Sequence, residues 1–98
     1  MIDVRQTEEF AQWLTSLRDA VAAKRIRQRI ARLQVGLFGD AKAHGGGLSE
    51  LRIDQGPGYR VYFLRRGDII VILLCGGDKS SQGQDINRAR ALADRFED

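Results

Sequence analysis

Apolar residues recur at helical spacing in the first third of the chain, alternate with polar ones in the middle, and return to helical spacing near the end. Ile2-Asp3-Val4-Arg5 alternates and predicts a short strand. Thr7 stands where a helix N-cap belongs, with Glu8 and Glu9 in the first turn, where carboxylates favour the helix dipole. Phe10, Trp13, Leu14 and Leu17 then fall at i, i+3, i+4 and i+7, one apolar stripe of a helix. Asp19 caps a second helix carrying Ala22, Ile26, Ile30, Leu33 and Leu37 on one face, with Gly36 or Gly39 to end it. The very short link makes the pair an αα-hairpin. Residues 40–47 read as a loop whose three consecutive glycines imply flexibility or the close approach of a ligand. Leu51 and Ile53 alternate with Glu50, Arg52 and Asp54, and Tyr59, Val61 and Phe63 alternate with Arg60, Tyr62 and Leu64. Turn chemistry at 55–58 and 65–68 separates these strands from each other and from Ile69 to Leu74, which is apolar throughout and suits a strand covered on both faces. Ser81 and Gln84 have capping-box spacing, and Ile86, Ala89, Leu92, Ala93 and Phe96 give a last helix its apolar face. The predicted order is β-α-α-β-β-β-α. That is an α+β domain spanning 1–98, with an N-terminal strand and a helical hairpin packed on a small, mainly antiparallel sheet, and a C-terminal helix.

Composition narrows the chemistry. Thirteen of the sixteen cations are Arg and the net charge is +3. Arg suits bidentate recognition of phosphate, although a basic solvated surface accounts for the charge equally well. One His and one Cys are too few for a disulfide or a metal cluster, so no metal and no cofactor is expected. Cys75 follows an apolar run and reads as a core thiol. Met1-Ile2-Asp3 lacks the basic and apolar regions of a signal peptide, and the longest apolar run is far too short to span a bilayer. The expectation is a soluble, cytoplasmic protein.

The alternation constrains the hairpin register. Even-numbered residues of the two strands share a face only if paired numbers sum to an even value, which requires a loop of odd length or a bulge. The opposite parity would bury Arg60, at a high cost. The favoured register sets Arg52 opposite Arg60 and Glu50 opposite Tyr62. Facing cations repel unless something anionic lies between them. Glu50 supplies part of that charge, and a phosphate would supply the rest. The same residues also fit an ordinary salt bridge on a solvated sheet face, which is worth little.

Glu50-Leu51-Arg52, Gly58-Tyr59-Arg60-Val61-Tyr62-Phe63 and Cys75-Gly76-Gly77-Asp78-Lys79-Ser80, with the helical hairpin ahead of them, resemble the RelE/ParE superfamily of bacterial toxins. Within it they resemble the short, phage-associated branch of addiction-module killer proteins related to HigB toxins. The resemblance implies a RelE-like fold, a small antitoxin encoded beside the toxin (a helix-turn-helix protein is expected), and, in nuclease members, cleavage of mRNA in the ribosomal A site. It implies Glu50 as general base, Arg52 and Arg60 as holders of the scissile phosphate, and Lys79 as a further cation of the site. Many nuclease members carry a Tyr or His in the last helix or tail. The nearest position by spacing is Asp85, and no Tyr follows Tyr62.

Metal-free RNA cleavage uses the 2′-OH as internal nucleophile and needs a base, positive charge for the transition state and help for the leaving 5′-oxygen. His44 stands in the predicted loop before the site strand, where it could donate a proton or be a plain loop residue. Tyr62 could stack on a base. Lys24, Arg25, Arg27 and Arg32 could grip RNA backbone, or simply face solvent. The reading is a type II toxin that cuts mRNA on the ribosome. The alternatives are a ParE-like inhibitor of DNA gyrase and a non-catalytic binding module of the same fold, since fold alone does not separate them.

Overall fold

The computed structural model describes residues 1–96. Strand β1 (Asp3–Gln6) leads into helices α1 (Glu8–Ser16) and α2 (Ala20–Leu33). Strands β2 (Ala41–Gly45), β3 (Leu48–Ile53), β4 (Tyr59–Arg66) and β5 (Ile70–Asp78) follow, then a 3-10 turn at Lys79–Ser81 and helix α3 (Gln82–Ala93), which runs into a second 3-10 turn at Asp94–Phe96. The strands form one 5-stranded sheet in the order β1-β5-β4-β3-β2. β1 runs parallel to β5, and every other pair is antiparallel. This is the expected α+β architecture with one additional strand. Among the described residues no helix is long and apolar enough to cross a membrane.

Two apolar layers lie on opposite faces of the sheet. Phe10, Ile26 and Leu33 of the helical hairpin pack with Leu51, Ile53, Val61, Phe63, Val71 and Leu73. On the other face Leu48, Tyr62, Leu64, Ile72, Leu74 and Cys75 pack with Ala89, and Ile86, Leu92 and Phe96 lie against them. A solvated second face was one of the two readings of its charged positions. The face is covered by α3 because Leu48, Tyr62 and Leu64 give it enough apolar surface to bury a helix. Cys75 is a buried core thiol, as expected.

Both helix starts of the hairpin are capped as the sequence predicts. Thr7 Oγ1 accepts from the Phe10 amide at 3.0 Å, and Asp19 Oδ1 accepts from the Ala22 amide at 3.0 Å. Thr7 also donates to the Leu74 carbonyl at 2.6 Å. That carbonyl is free because β5 bulges here: Tyr62 pairs with Cys75 and Phe63 with Leu73, leaving Leu74 between them.

Three local expectations are corrected. Residues 40–47 are not a loop. They supply β2 and the turn into β3, with Gly45, Gly46 and Gly47 at φ of 88°, 64° and 83°. A Cβ on Gly47 would come 3.0 Å from the Arg65 carbonyl oxygen, so the glycines serve a tight turn rather than a ligand. Helix α2 stops at Leu33, which leaves Leu37 exposed instead of on the apolar face. Ser81 does not form a capping box. Asp78 caps the 3-10 turn instead, accepting from the Ser80 amide at 2.8 Å, and Ser81 Oγ donates to Asp85 Oδ2 at 2.5 Å.

Candidate active site

The β3–β4 ladder ends at Ile53 opposite Tyr59, which leaves a five-residue loop, 54–58. This odd loop sets Arg52 opposite Arg60 and Glu50 opposite Tyr62, as the charge pattern requires. Arg52, Arg60 and Lys79 then line one groove of about 380 Å³ with Asp40, Asp54 and the Gly56-Pro57-Gly58 turn. A Cβ added to Gly58 would stand 3.6 Å from both Arg60 Nη1 and the Lys79 Cβ, so these two side chains converge on a residue with no side chain of its own. Arg52 Nη1 is 3.9 Å from Asp40 Oδ1, a loose pair, while its buried Nε has no hydrogen-bond partner among the described residues.

The groove continues along α2. Arg25, Arg29 and Arg32 line this extension, which shares Asp40, Arg52 and Asp54 with the first part. Of the helix cations expected to meet RNA, Arg25 and Arg32 therefore join the site. Lys24 and Arg27 are exposed on α2 but line neither part. Arg29 does something else. Its guanidinium donates to the Arg52 carbonyl at 2.7 Å, the Phe38 carbonyl at 3.0 Å and the Asp40 carbonyl at 3.1 Å, tying α2 to the end of β3 and the segment before β2.

Glu50 departs from expectation. It is wholly buried, not presented on an open face. Its Oε1 lies 2.6 Å from His44 Nε2 and accepts from Gln82 Nε2 at 3.0 Å. Its Oε2 is 2.9 Å from Arg60 Nε, an ion contact in which the N–H is not aimed at the oxygen. The first residue of α3 closes over the carboxylate, so Glu50 cannot touch a substrate as a base in this conformation. His44 is likewise not a loop residue. It lies on β2, and 14% of its side chain is exposed. Arg60 is equally enclosed, with its Nη1 donating to the Tyr59 carbonyl at 3.3 Å.

Tyr62 is wholly buried beneath α3, so it cannot stack on a base. Among the described residues its hydroxyl has no hydrogen-bond partner, and burial first, then the charge of Glu50, pushes the phenol well above its ordinary value of 10.0. Asp85, nearest to the superfamily's Tyr or His, is turned into the protein against Gly77 and Ser81 rather than toward the groove.

Over residues 12–96 the sequence matches the family described as phage-derived protein Gp49-like. The chain belongs to the Gp49-like family. A protein of Haemophilus influenzae described as uncharacterized is 50% identical to this Gp49-like chain over 92 residues, 94% of the chain and 93% of that relative. The free-state structure of a double mutant of the Escherichia coli toxin RelE superposes with a TM-score of 0.68 at 9% identity, covering 86% of this chain and 90% of that one. The solution structure of Helicobacter pylori HP0894 gives 0.51 at 20% identity, covering 82% and 97%. At such identities the likeness shows the fold. The Gp49-like chain has the RelE-like fold that its strand motifs implied.

Two residues of the Gp49-like site carried too little signal to be found. Gln82 depends on how α3 docks, which no local pattern records. Arg29 left a trace, because it lies beside the apolar positions Ile26, Ile30 and Leu33. A cation bordering an apolar stripe is a candidate for tying the helix to its neighbours.

Proposed function

We propose that the protein is the toxin of a type II toxin–antitoxin pair and cuts mRNA on the ribosome, without a metal, by attack of the 2′-OH on its own phosphate. The observation that carries this reading is the groove. Arg52 and Arg60 face each other across β3 and β4, and Lys79 joins them in the groove lining. Three cations converging on one open space favour a phosphodiester whose charge grows in the transition state. Asp40 and Asp54 in the same lining weaken non-specific anion binding. A small antitoxin with an acidic segment would cover the same groove when the toxin is silent.

Translation in vitro with purified protein tests this. Cuts are expected in mRNA only when ribosomes are present, with products ending in a 2′,3′-cyclic phosphate or its 3′-phosphate hydrolysis product. A 2′-O-methyl group at the cut position should block the reaction. Cleavage of that blocked substrate would sink the mechanism. Inhibition of supercoiling by DNA gyrase with no RNA cut would replace it with the gyrase reading.

A further inference from the structure

We propose that His44 is the base that takes the 2′ proton, and that Glu50 is the positioning residue that aims it. This rests on the reading of the groove as an RNA phosphate site. His44 is the only histidine of the chain, and its Nε2 stands 2.6 Å from Glu50 Oε1. Glu50 accepts from Gln82 and faces Arg60, contacts that suit a carboxylate. In the proposed tautomer Nε2–H donates to Glu50 and the lone pair lies on Nδ1. Among the described residues Nδ1 has no hydrogen-bond partner, and the His44 side chain reaches the surface where Glu50 does not. A buried carboxylate holding one imidazole nitrogen so that the other is basic is a general arrangement for proton abstraction.

The carboxylate also links the base to the phosphate site. One oxygen holds His44 and the other faces Arg60. Gln82 prevents the carboxylate from turning outward. The charged groups nearest the imidazole are Glu50 on β3, Arg60 on β4 beyond it, Lys42 opposite Glu50 in the β2–β3 ladder, and Arg90 of α3, which donates to the His44 carbonyl at 2.9 Å. In the step, Nδ1 takes the 2′ proton as the O2′–P bond forms and the P–O5′ bond breaks. The departing 5′-oxygen takes a proton from water, and Glu50 balances the imidazolium until that proton returns to solvent. His44 lines neither part of the groove, so the ribose of the nucleotide held at Arg52 and Arg60 reaches it only with Gln82 displaced from Glu50.

Single-turnover cleavage on ribosomes tests this with His44→Gln, whose amide still donates to Glu50 but takes no proton. The expected rate is lower by about 100- to 10,000-fold, rising about tenfold per pH unit as hydroxide replaces the base, with ribosome binding unchanged. Glu50→Gln should also slow cleavage, and its pH profile should differ from wild type because the imidazolium loses its counter-charge. A His44→Gln protein that cuts at the wild-type rate, or more slowly with the wild-type pH profile, overturns the assignment while leaving the nuclease intact. Wild-type protein that cuts no mRNA on ribosomes overturns both. Carbethoxylation of the single histidine in wild-type protein gives a second readout that depends on no variant. Cleavage should vanish and return with hydroxylamine, and cleavage that persists after full modification rejects the base.

Discussion

Arg52 and Arg60 carry the same charge and face each other, yet their surroundings separate their roles. Arg60 is enclosed and balances a buried carboxylate, whereas Arg52 is 36% exposed on its side chain and only loosely paired. Arg60→Ala should lower stability by roughly 2–4 kcal/mol, because it leaves Glu50 buried without its cation. Arg52→Ala should cost less than about 1 kcal/mol, as exposed pairs do. Urea unfolding of both variants distinguishes them, and equal losses would contradict the difference in burial. Tyr62 gives a pH prediction. Burial holds its phenol above 10.0 and the Cys75 thiol above 9.0, so both ionise more readily in the unfolded chain. Their contribution to stability is complete below those values and is lost as pH rises beyond them. Tyr62→Phe should remove the tyrosine part of this alkaline limb. It should leave neutral-pH stability unchanged or raise it by about 1 kcal/mol, since an unpartnered hydroxyl leaves the interior. Thermal unfolding between neutral and strongly alkaline pH checks both statements.

At the scale of elements, the glycines after the apolar run of β5 matter for space. A Cβ on Gly76 would lie 2.4 Å from the Trp13 ring, and one on Gly77 would lie 1.9 Å from Asp85 Oδ2. β5 therefore passes between α1 and α3 with no room for a side chain on either face. Gly76→Ala should lower stability by about 1–3 kcal/mol through displacement of α1, with the Trp13 fluorescence changed in the folded state. An unchanged spectrum and unfolding midpoint would show that the indole moves aside freely. The same two glycines were legible in the sequence only as part of a motif. Their steric reason appears when both helices are in place. The converse holds for the helix caps. Thr7 and Asp19 act through bonds to amides three residues on, so their roles could be read from local sequence. Residues 41–45 were misread because an edge strand of small and polar residues carries no apolar alternation.

Over the whole molecule, the groove runs from Arg25 and Arg32 on α2 to Lys79 after β5, joining segments far apart in the chain. A phosphate backbone laid along it would release counterions from each contact. Arg25→Ala and Arg32→Ala should each reduce the slope of log affinity against log salt by about 0.7 for single-stranded RNA. Lys24→Ala and Arg27→Ala, outside the groove, should leave it unchanged. Binding titrations on ribosomes or model RNA across several salt concentrations read this directly. A single slope shared by all four variants would take α2 out of the RNA path.

The sequence by itself determined every α-helix and every strand but β2, the caps of α1 and α2, and the parity of the β3–β4 pairing, because each depends on periodicity or on neighbours a few residues away. It also placed Arg52 opposite Arg60, although Arg60 is enclosed in this register too, where Glu50 balances its charge. Tertiary structure decided what lies above the sheet. Helix α3 docks on the face that holds Glu50 and Tyr62, and that contact turns an apparent open-face base and stacking ring into a buried carboxylate and a core phenol. Burial is a property of what packs against a residue, and the residues that cover Glu50 come from both sides in sequence: His44 from β2 and Gln82 from α3.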